Sequence, residues 1–121
     1  MIIDDDPDVT ITLQKVLEQK GYRTDCYTDP ALAYKNFREG EYNLVLLDIK
    51  MPVVDGLLLY QKIKRIDGTV KICFLTASEF YYERIRKVRG LSGLDQVPFL
   101  RKPIDMEDLI NTTENCWNLN R

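Results

Sequence analysis

The chain has 121 residues, which is enough for one hydrophobic core and too few for two ordinary domains. Hydrophobic residues make up 45% of the sequence and charged residues 30%, a balance that excludes a disordered chain. With 17 basic and 19 acidic residues the formal net charge is -2, so no basic field is available to hold nucleic acid by its phosphates. We therefore expect a single domain, residues 1–121, that makes no direct contact with nucleic acid.

The three cysteines, Cys26, Cys73 and Cys116, are far apart, and the chain contains no histidine with which they could form a typical metal site. We interpret them as reduced core residues. No apolar stretch approaches the roughly 20 residues that a membrane-spanning helix needs, and acidic residues occur too early for a signal peptide. These features predict a cytoplasmic protein that does not associate with a membrane.

Short apolar segments alternate with helical patterns of about 10 to 15 residues, which is typical of repeated βα units around a parallel sheet. Five strands are predicted, at Met1–Ile3, Thr24–Tyr27, Leu44–Leu47, Val70–Leu75 and Pro98–Leu100. The third and fourth are almost wholly apolar, as strands covered on both faces are. We expect these two strands in the interior of the sheet.

Two helix starts are marked by an aspartate that can cap the helix and a proline at its first position, at Asp6-Pro7 and Asp29-Pro30. Gly21 and Gly40 follow the predicted ends of these helices. The first helix carries apolar residues at helical spacing: Val9, Leu13, Val16 and Leu17.

A third helix is predicted after Asp55-Gly56, a fourth at about Glu79 to Val88 and a fifth after Asp105. The stretch from Gly90 to Gln96 predicts an irregular loop before the last strand. The third and fifth helices present residues at helical spacing to the sheet: Leu57, Tyr60 and Ile63 in one, and Leu109, Ile110, Thr113 and Trp117 in the other.

Polar residues lie at the ends of four of the predicted strands. They are Asp4-Asp5-Asp6 after the first, Asp48 after the third, Thr76 after the fourth and Lys102-Pro103 after the fifth. Ligands of doubly wound sheets bind outside the carboxyl ends of the strands, so these residues are predicted to meet at one edge. That edge is the candidate functional site.

Three carboxylates, those of Asp4, Asp5 and Asp48, would repel one another by several kcal/mol unless a cation lay among them. Mg²⁺ prefers oxygen ligands and usually keeps some of its waters, which leaves room for a phosphoryl oxygen. Lys102 and the Thr76 hydroxyl can bind other phosphoryl oxygens. The pattern thus predicts phosphoryl transfer to Asp48 with Mg²⁺ as the cofactor.

Simpler explanations apply to single residues of this set. Asp6 is best explained as a helix cap, and an isolated Asp4-Asp5 or Lys102-Pro103 pair would be a weak signal. Asp48 differs, because a carboxylate at the end of a buried strand is costly without a partner. The joint placement of these residues favours the functional interpretation.

Taken together, these motifs resemble the receiver domains of response regulators, almost from end to end. The matching segments are Ile2-Ile3-Asp4-Asp5-Asp6-Pro7, Leu44-Val45-Leu46-Leu47-Asp48-Ile49-Lys50-Met51-Pro52 with Asp55-Gly56, Phe74-Leu75-Thr76-Ala77, and Phe99-Leu100-Arg101-Lys102-Pro103. The resemblance implies an α/β, flavodoxin-like three-layer sandwich, with a five-stranded parallel sheet of order 2-1-3-4-5 and five helices. It implies a phosphoacceptor of two-component signal transduction that is regulatory rather than an enzyme, although it assists its own phosphorylation and dephosphorylation.

The same resemblance implies the partners and the metal ligands. The phosphoryl donor would be a sensor histidine kinase or a phosphotransfer protein, and the other partner a downstream effector. Asp5, Asp48 and the backbone carbonyl of Lys50 would bind Mg²⁺ directly, and Asp4 would act through a water.

Three further roles follow from the resemblance. Thr76 and Phe99 match the switch hydroxyl and the switch aromatic residue of the family. Lys102 matches the family's phosphate-binding lysine, whose bond to the following proline, here Pro103, is usually cis. No separate cofactor-binding residues are implied.

Three features differ from the usual receiver pattern. Relatives usually carry a few more residues before the first strand than this chain does before Ile2, so we expect further residues to precede Met1 in the native protein. Lys50 occupies a variable position beside the phosphoryl group that tunes its lifetime in relatives. The Gly90 to Gln96 stretch lacks the small-residue turn that is common before the last strand.

The sequence does not fit two other families with related patterns. A phosphatase of the haloacid dehalogenase type needs a second acid two residues after its nucleophile, where this chain has Lys50, and the chain has no room for a cap domain. A flavodoxin needs small hydrogen-bond donors after the first strand, and Asp4-Asp5-Asp6 would repel its phosphate.

The alternative that remains is a degenerate receiver that acts as an interaction module without phosphorylation. Incubation with acetyl phosphate and Mg²⁺ would distinguish the two. The cognate kinase, the output and the oligomeric state are left open by the sequence.

Overall fold

Five parallel strands form one sheet of order β2-β1-β3-β4-β5. The structure is a computed structural model that describes residues 1–49, 56–77 and 97–119. In chain order the elements of these ranges are β1 (Ile2–Ile3), α1 (Pro7–Gln19), β2 (Cys26–Tyr27), α2 (Pro30–Asn36), β3 (Leu44–Asp48), α3 (Gly56–Ile66), β4 (Lys71–Thr76), β5 (Phe99–Arg101) and α4 (Met106–Leu119). The predicted flavodoxin-like sheet order is confirmed.

Parts of the prediction lie outside the described residues. They are the fourth predicted helix at about Glu79 to Val88, the Gly90 to Gln96 loop and Lys50. Within the described ranges, no helix combines the length and apolar character that crossing a membrane requires.

The interior position predicted for the third and fourth strands is confirmed. β3 lies between β1 and β4, and β4 between β3 and β5. Their ladder runs in continuous register from Leu44↔Lys71 to Asp48↔Leu75. Because both faces of these strands are covered, their apolar residues are almost completely buried, except the half-buried Leu44.

The strand bounds differ by one or two residues from those predicted. β4 and β5 each begin and end one residue later than predicted. Their last residues are Thr76 and Arg101, which pair with each other in the ladder. β2 begins at Cys26 rather than Thr24, whose hydroxyl donates to Glu18 instead. The alternation of apolar and helical segments in the sequence therefore predicts where the strands lie, whereas their exact ends depend on the pairing between strands.

Successive residues of a strand pack alternately into two separate hydrophobic cores, one on each face of the sheet. Val45 and Leu47 face the core beneath α2 and α3, whereas Leu46 faces the core beneath α1 and α4. Burial of each such side chain contributes roughly 1.5–3 kcal/mol to folding. The predicted apolar faces are confirmed by burial of Leu13, Leu17, Tyr60, Ile63, Leu109 and Thr113, with Val9, Val16, Leu57, Ile110 and Trp117 half-buried.

The three cysteines are free thiols. Cys73 and Cys116 are buried and Cys26 is half-buried. Burial raises the pKa of the Cys73 thiol, which keeps it in the unreactive protonated form. Their interpretation as reduced core residues agrees with this placement.

Both predicted helix caps are present. Asp6 Oδ1 accepts a hydrogen bond from the Asp8 amide at 2.9 Å, and Asp29 Oδ1 accepts one from the Ala31 amide at 2.9 Å. Gly21, which follows the end of α1, has a φ of 91°. That left-handed conformation suits glycine, because it has no Cβ.

The predicted end of the second helix was wrong. α2 ends at Asn36, and Gly40 lies in the following turn with a φ of 80°. Phe37 leaves the helix with extended backbone, which buries its ring against Tyr42 at a centroid distance of 5.5 Å. Burial of an aromatic ring outweighs the continuation of the helix.

A buried carboxylate ties together the loops at the amino end of the sheet. Asp67 accepts hydrogen bonds from the Gly40 amide at 3.0 Å and from the Thr69 amide and hydroxyl at 2.9 and 2.7 Å. These donors favour the charged form, so the pKa of Asp67 lies below its ordinary value of 3.8. The carboxylate joins the turn after α2 to the entrance of β4.

We expect Asp67→Ala to lower the free energy of unfolding by about 1–3 kcal/mol at neutral pH, because three donors lose a charged acceptor. Since the folded pKa is depressed, this contribution is fully present above about pH 4 and is lost as the pH falls through the folded pKa. Urea unfolding at several pH values measures the difference from wild type, which should shrink at the acid end. Glu39→Ala, at an exposed position beside Gly40, serves as the control; a pH-independent difference for Asp67→Ala would contradict the assignment.

Candidate functional site

Asp48 is the last residue of β3 and is only 4% exposed. The strand continues its pairing one residue further, because the Ile49 amide donates to Leu75 O at 3.1 Å. The main chain that carries the Asp48 carboxylate is therefore fixed by the interior of the sheet. This is the placement that the sequence predicted for the residue.

Asp4 and Asp5 follow β1 at the same edge. Asp4 is fully buried, and its Oδ1 accepts a hydrogen bond from the Asp6 amide at 2.9 Å. Asp5 is exposed. One carboxylate oxygen from each of Asp4, Asp5 and Asp48 lies within 4.8 Å of the others, so the predicted acidic cluster is present.

Lys102, which follows β5, supplies the counter-charge to this cluster. Its Nζ lies 2.6 Å from Asp4 Oδ2 and 3.5 Å from Asp48 Oδ2. Burial alone would lower the pKa of the Lys102 ammonium, but the neighbouring carboxylates of Asp4 and Asp48 more than offset this and raise it. Lys102 is therefore charged and bridges two strand ends.

The backbone beside Lys102 is also constrained. Its amide donates to Thr76 O at 2.7 Å, which extends the pairing of β4 with β5 by one residue. The bond between Lys102 and Pro103 is cis, as the family resemblance implied.

The donor set fits a divalent cation. Three carboxylates and one ammonium leave an excess of two negative charges at the site. Asp4 Oδ2 is buried and pairs with the Lys102 ammonium at 2.6 Å. A hard cation with oxygen ligands, such as Mg²⁺, would offset the remaining excess charge.

Thr76 and Phe99 lie on the same face of the sheet. Thr76 is the buried last residue of β4, two positions after Phe74, and Phe74 pairs with Phe99 on β5. Phe74 and the half-buried Phe99 both pack in the core beneath α2 and α3, and alternate residues of a strand share a face. The two predicted switch residues are therefore neighbours on adjacent strands.

One residue of the acidic motif lies elsewhere, and one residue of the following loop is outside the described residues. Asp6 caps α1, as expected, rather than joining the acidic cluster. Lys50, whose backbone carbonyl was predicted as a metal ligand, lies outside the described residues.

One feature of the site escaped the sequence analysis. The amide of Gly56, at the start of α3, donates to Ile49 O at 2.8 Å, directly beside Asp48. The Asp55-Gly56 pair was interpreted as a helix start and as part of the family motif, without this contact. A glycine that immediately begins a helix after a functional strand end is the signal that could have indicated this contact.

Comparison with known proteins identifies the family. The family model of the response regulator receiver domain matches residues 1–114. The response regulator receiver protein CpdR of Brucella abortus is 31% identical over 114 residues, which cover 94% of this chain and 92% of that protein.

Longer regulators match as well. The transcriptional regulatory proteins RprY of Bacteroides fragilis and PrrA of Mycobacterium leprae are 29% and 30% identical, over 90% and 91% of this chain. The matches cover 44% and 46% of those two proteins, so this chain spans less than half of their length.

Solved structures agree with the fold. The response regulator TrrA of Thermotoga maritima, crystallised in complex with Mg²⁺-BeF, is 28% identical with a TM-score of 0.78, and the match covers 95% of both chains. A CheY-like receiver domain of Methanospirillum hungatei is 23% identical with a TM-score of 0.77, over 98% of this chain and 92% of that one. The chain belongs to the response regulator receiver domain family and is a receiver domain of two-component signal transduction.

Proposed function

We propose that Asp48 is the phosphoacceptor of this receiver domain, that its phosphorylation requires Mg²⁺, and that residues 1–121 form one such domain. The observation that carries the proposal is the convergence of Asp4, Asp5, Asp48 and Lys102 at the carboxyl ends of three strands. A structural role alone would not need three carboxylates at one point, because they repel one another.

Asp48 is the residue best placed to act as the nucleophile. The sheet fixes its main chain, and Lys102 holds one of its oxygens. Attack by a carboxylate oxygen on a phosphohistidine forms the O–P bond as the N–P bond breaks, and the electron pair of that bond returns to the imidazole. Positioning and charge stabilisation account for most of the catalysis of phosphoryl transfer.

The proposed Mg²⁺ ligands are Asp5, Asp48 and the Lys50 carbonyl, with Asp4 acting through a water. The exposure of Asp5 supports a direct role, because its carboxylate is open to an incoming hydrated ion. When bound, Mg²⁺ would neutralise negative charge on the carboxylates and the phosphoryl oxygens.

Lys102 is proposed to bind a phosphoryl oxygen once Asp48 is modified. In the described structure its ammonium already lies 3.5 Å from Asp48 Oδ2, so it is close to the carboxylate that would carry the phosphoryl group. The Thr76 hydroxyl is proposed to bind another phosphoryl oxygen, and Thr76 is buried at the end of the strand next to β3.

Receiver domains pair with histidine kinases and effectors, and we propose the same two kinds of partner here. The donor is a sensor histidine kinase or a phosphotransfer protein, and the output is a downstream effector protein or domain. The similarity to RprY and PrrA supports an effector linked to transcription. Because histidine kinases take their phosphoryl group from ATP, the proposed site of action is the cytoplasm.

The central test is phosphorylation by acetyl phosphate in the presence of Mg²⁺, followed by mass spectrometry of the intact chain. We expect one phosphoryl group on the wild type, removable by hydroxylamine as acyl phosphates are, and none on Asp48→Asn. Asp6→Asn is the matched control, since asparagine also caps helices and the acidic cluster is untouched. A wild type that stays unmodified would instead support the degenerate receiver, an interaction module without phosphorylation.

Asp5→Asn is expected to weaken Mg²⁺ binding about tenfold, which corresponds to about 1.4 kcal/mol, because the cluster loses one charge and one ligand. Isothermal titration or Mg²⁺-dependent NMR shifts measure the affinity. Trp117 would report poorly by fluorescence, because it lies near Met1 and Leu44 at the amino ends of the strands, away from the acidic cluster. Asp8→Asn removes an exposed acid from the first turn of α1 and should leave the affinity unchanged; an equal effect of both variants would remove Asp5 from the proposed ligands.

Phosphorylation is expected to draw the Thr76 hydroxyl towards the phosphoryl oxygens and let the Phe99 ring turn inward. A charge-assisted bond of about 1–3 kcal/mol shifts such an equilibrium roughly fivefold to 150-fold. Phe99 has no hydroxyl, so apolar burial alone would hold it in place. The measurement is the NMR shift of Phe99 on addition of beryllofluoride, which should be much smaller in Thr76→Ala.

The control for this switch is Thr113→Ala, which removes a buried threonine whose hydroxyl donates to Leu109 O within α4. It should leave the Phe99 response intact. Equal Phe99 shifts in wild type and Thr76→Ala, with beryllofluoride bound to both, would show that Thr76 does not transmit the change.

A further inference from the structure

The first turn of α3 is seated directly on the main chain that carries Asp48. The Gly56 amide donates to Ile49 O at 2.8 Å, so an amide without a partner in its own helix is satisfied by the strand end. A Cβ on Gly56 would lie 2.7 Å from Ile49 Cα and 2.8 Å from Ile49 O, and would also clash with Asp48 O. Only a residue without a side chain fits here.

The atoms that such a Cβ would meet belong to the backbone and cannot rotate away. On their other side, the Ile49 amide is bonded to Leu75 O at 3.1 Å, within the interior of the sheet. α3 cannot retreat easily either, because Leu59 and Ile63 anchor it in the core at 1% and 0% exposure. Ordinary contact begins at 3.4 Å, so a side chain at residue 56 would force a shift of more than about half an ångström.

That shift would displace Asp48, the proposed nucleophile. The atom nearest to a Cβ on residue 56 would be the carbonyl oxygen of Asp48, whose carboxylate lies 3.5 Å from the Lys102 ammonium. A misplacement of about 1 Å can reduce a rate about a hundredfold, because reacting groups must be held in near-attack geometry. The seating of α3 therefore bears on chemistry as well as on stability.

We propose that Gly56 is a positioning residue for the phosphoacceptor: by letting the start of α3 contact the Asp48–Ile49 main chain, it sets the position of the Asp48 carboxylate relative to Lys102 and Asp4. This inference rests on the proposed function of Asp48. Gly56 acts through the backbone of Asp48, and no contact of its own with a phosphoryl group is involved.

The chain offers a matched glycine for comparison. Gly68 lies just after the other end of α3, and a Cβ there would meet nothing closer than Lys64 O at 3.9 Å. Gly68→Ala tests the effect of adding a methyl group near α3 without touching Asp48. Ile63→Val loosens the packing of α3 against the sheet and leaves the Gly56 contact in place.

The experiment measures three quantities for wild type, Gly56→Ala, Gly68→Ala and Ile63→Val. They are the unfolding curve, the Mg²⁺ affinity, and the phosphorylation rate at saturating Mg²⁺ and acetyl phosphate, corrected for the folded fraction. We expect the rate of Gly56→Ala to fall about a hundredfold. The other two variants should stay within about threefold of wild type, even where they are less stable.

The outcomes separate the two proposals. A wild type that cannot be phosphorylated would defeat the proposed function and this inference with it. A phosphorylated wild type with a folded Gly56→Ala that reacts as fast as Ile63→Val would defeat the positioning role alone, leaving Gly56 with a role in stability.

A second measurement on the wild type does not depend on a variant that folds. The Gly56 amide should exchange with solvent as slowly as amides in the middle of α3, because Ile49 O holds it; first-turn amides normally exchange fast. Exchange as fast as that of the exposed Gly68 amide would show that the contact is not kept in solution, and the inference would then be wrong.

Discussion

The arrangement of this domain depends on the repulsion between three carboxylates at one edge of the sheet and on the lysine that opposes it. Asp4 is fully buried and Asp48 nearly so, and burial strengthens their repulsion because water no longer screens it. The ammonium of Lys102, which follows β5, contacts both of these carboxylates. An excess of negative charge remains, so the folded chain holds an acidic cluster that could hold a metal ion.

The parallel sheet is what makes this concentration of charge possible. All strands end at the same edge, so Asp4, Asp48 and Lys102 meet although they are distant in sequence. The β3–β4 ladder and the two hydrophobic cores hold that edge in place from within. At the amino ends of the strands, the Asp67 carboxylate has a structural role: it accepts hydrogen bonds from Gly40 and Thr69 and so joins two loops.

The sequence was sufficient for features set by local pattern and was insufficient for those set by three-dimensional contact. Apolar segments predicted the strands, and the family resemblance predicted their order in the sheet. The two Asp-Pro pairs predicted the starts of α1 and α2. The early end of α2 was missed because burial of Phe37 depends on its ring contact with Tyr42. The Lys102–Asp4 ion pair and the seating of Gly56 were missed because they depend on how separate strand ends and helices approach one another.

The site and the proposed switch share one mechanical connection. Phosphorylation of Asp48 would replace its single negative charge with about two, located on the phosphoryl oxygens. The Lys102 ammonium, which now contacts both Asp4 and Asp48, would then be attracted more strongly towards residue 48. The Lys102 amide is bonded to Thr76 O, and Thr76 pairs with Arg101 on β5. A displacement of Lys102 would therefore pull on the same β4–β5 pair that bears Thr76 and Phe99. The proposed response through the Thr76 hydroxyl and the response through this backbone bond would both act on that pair, which makes it the proposed route from Asp48 to the surface.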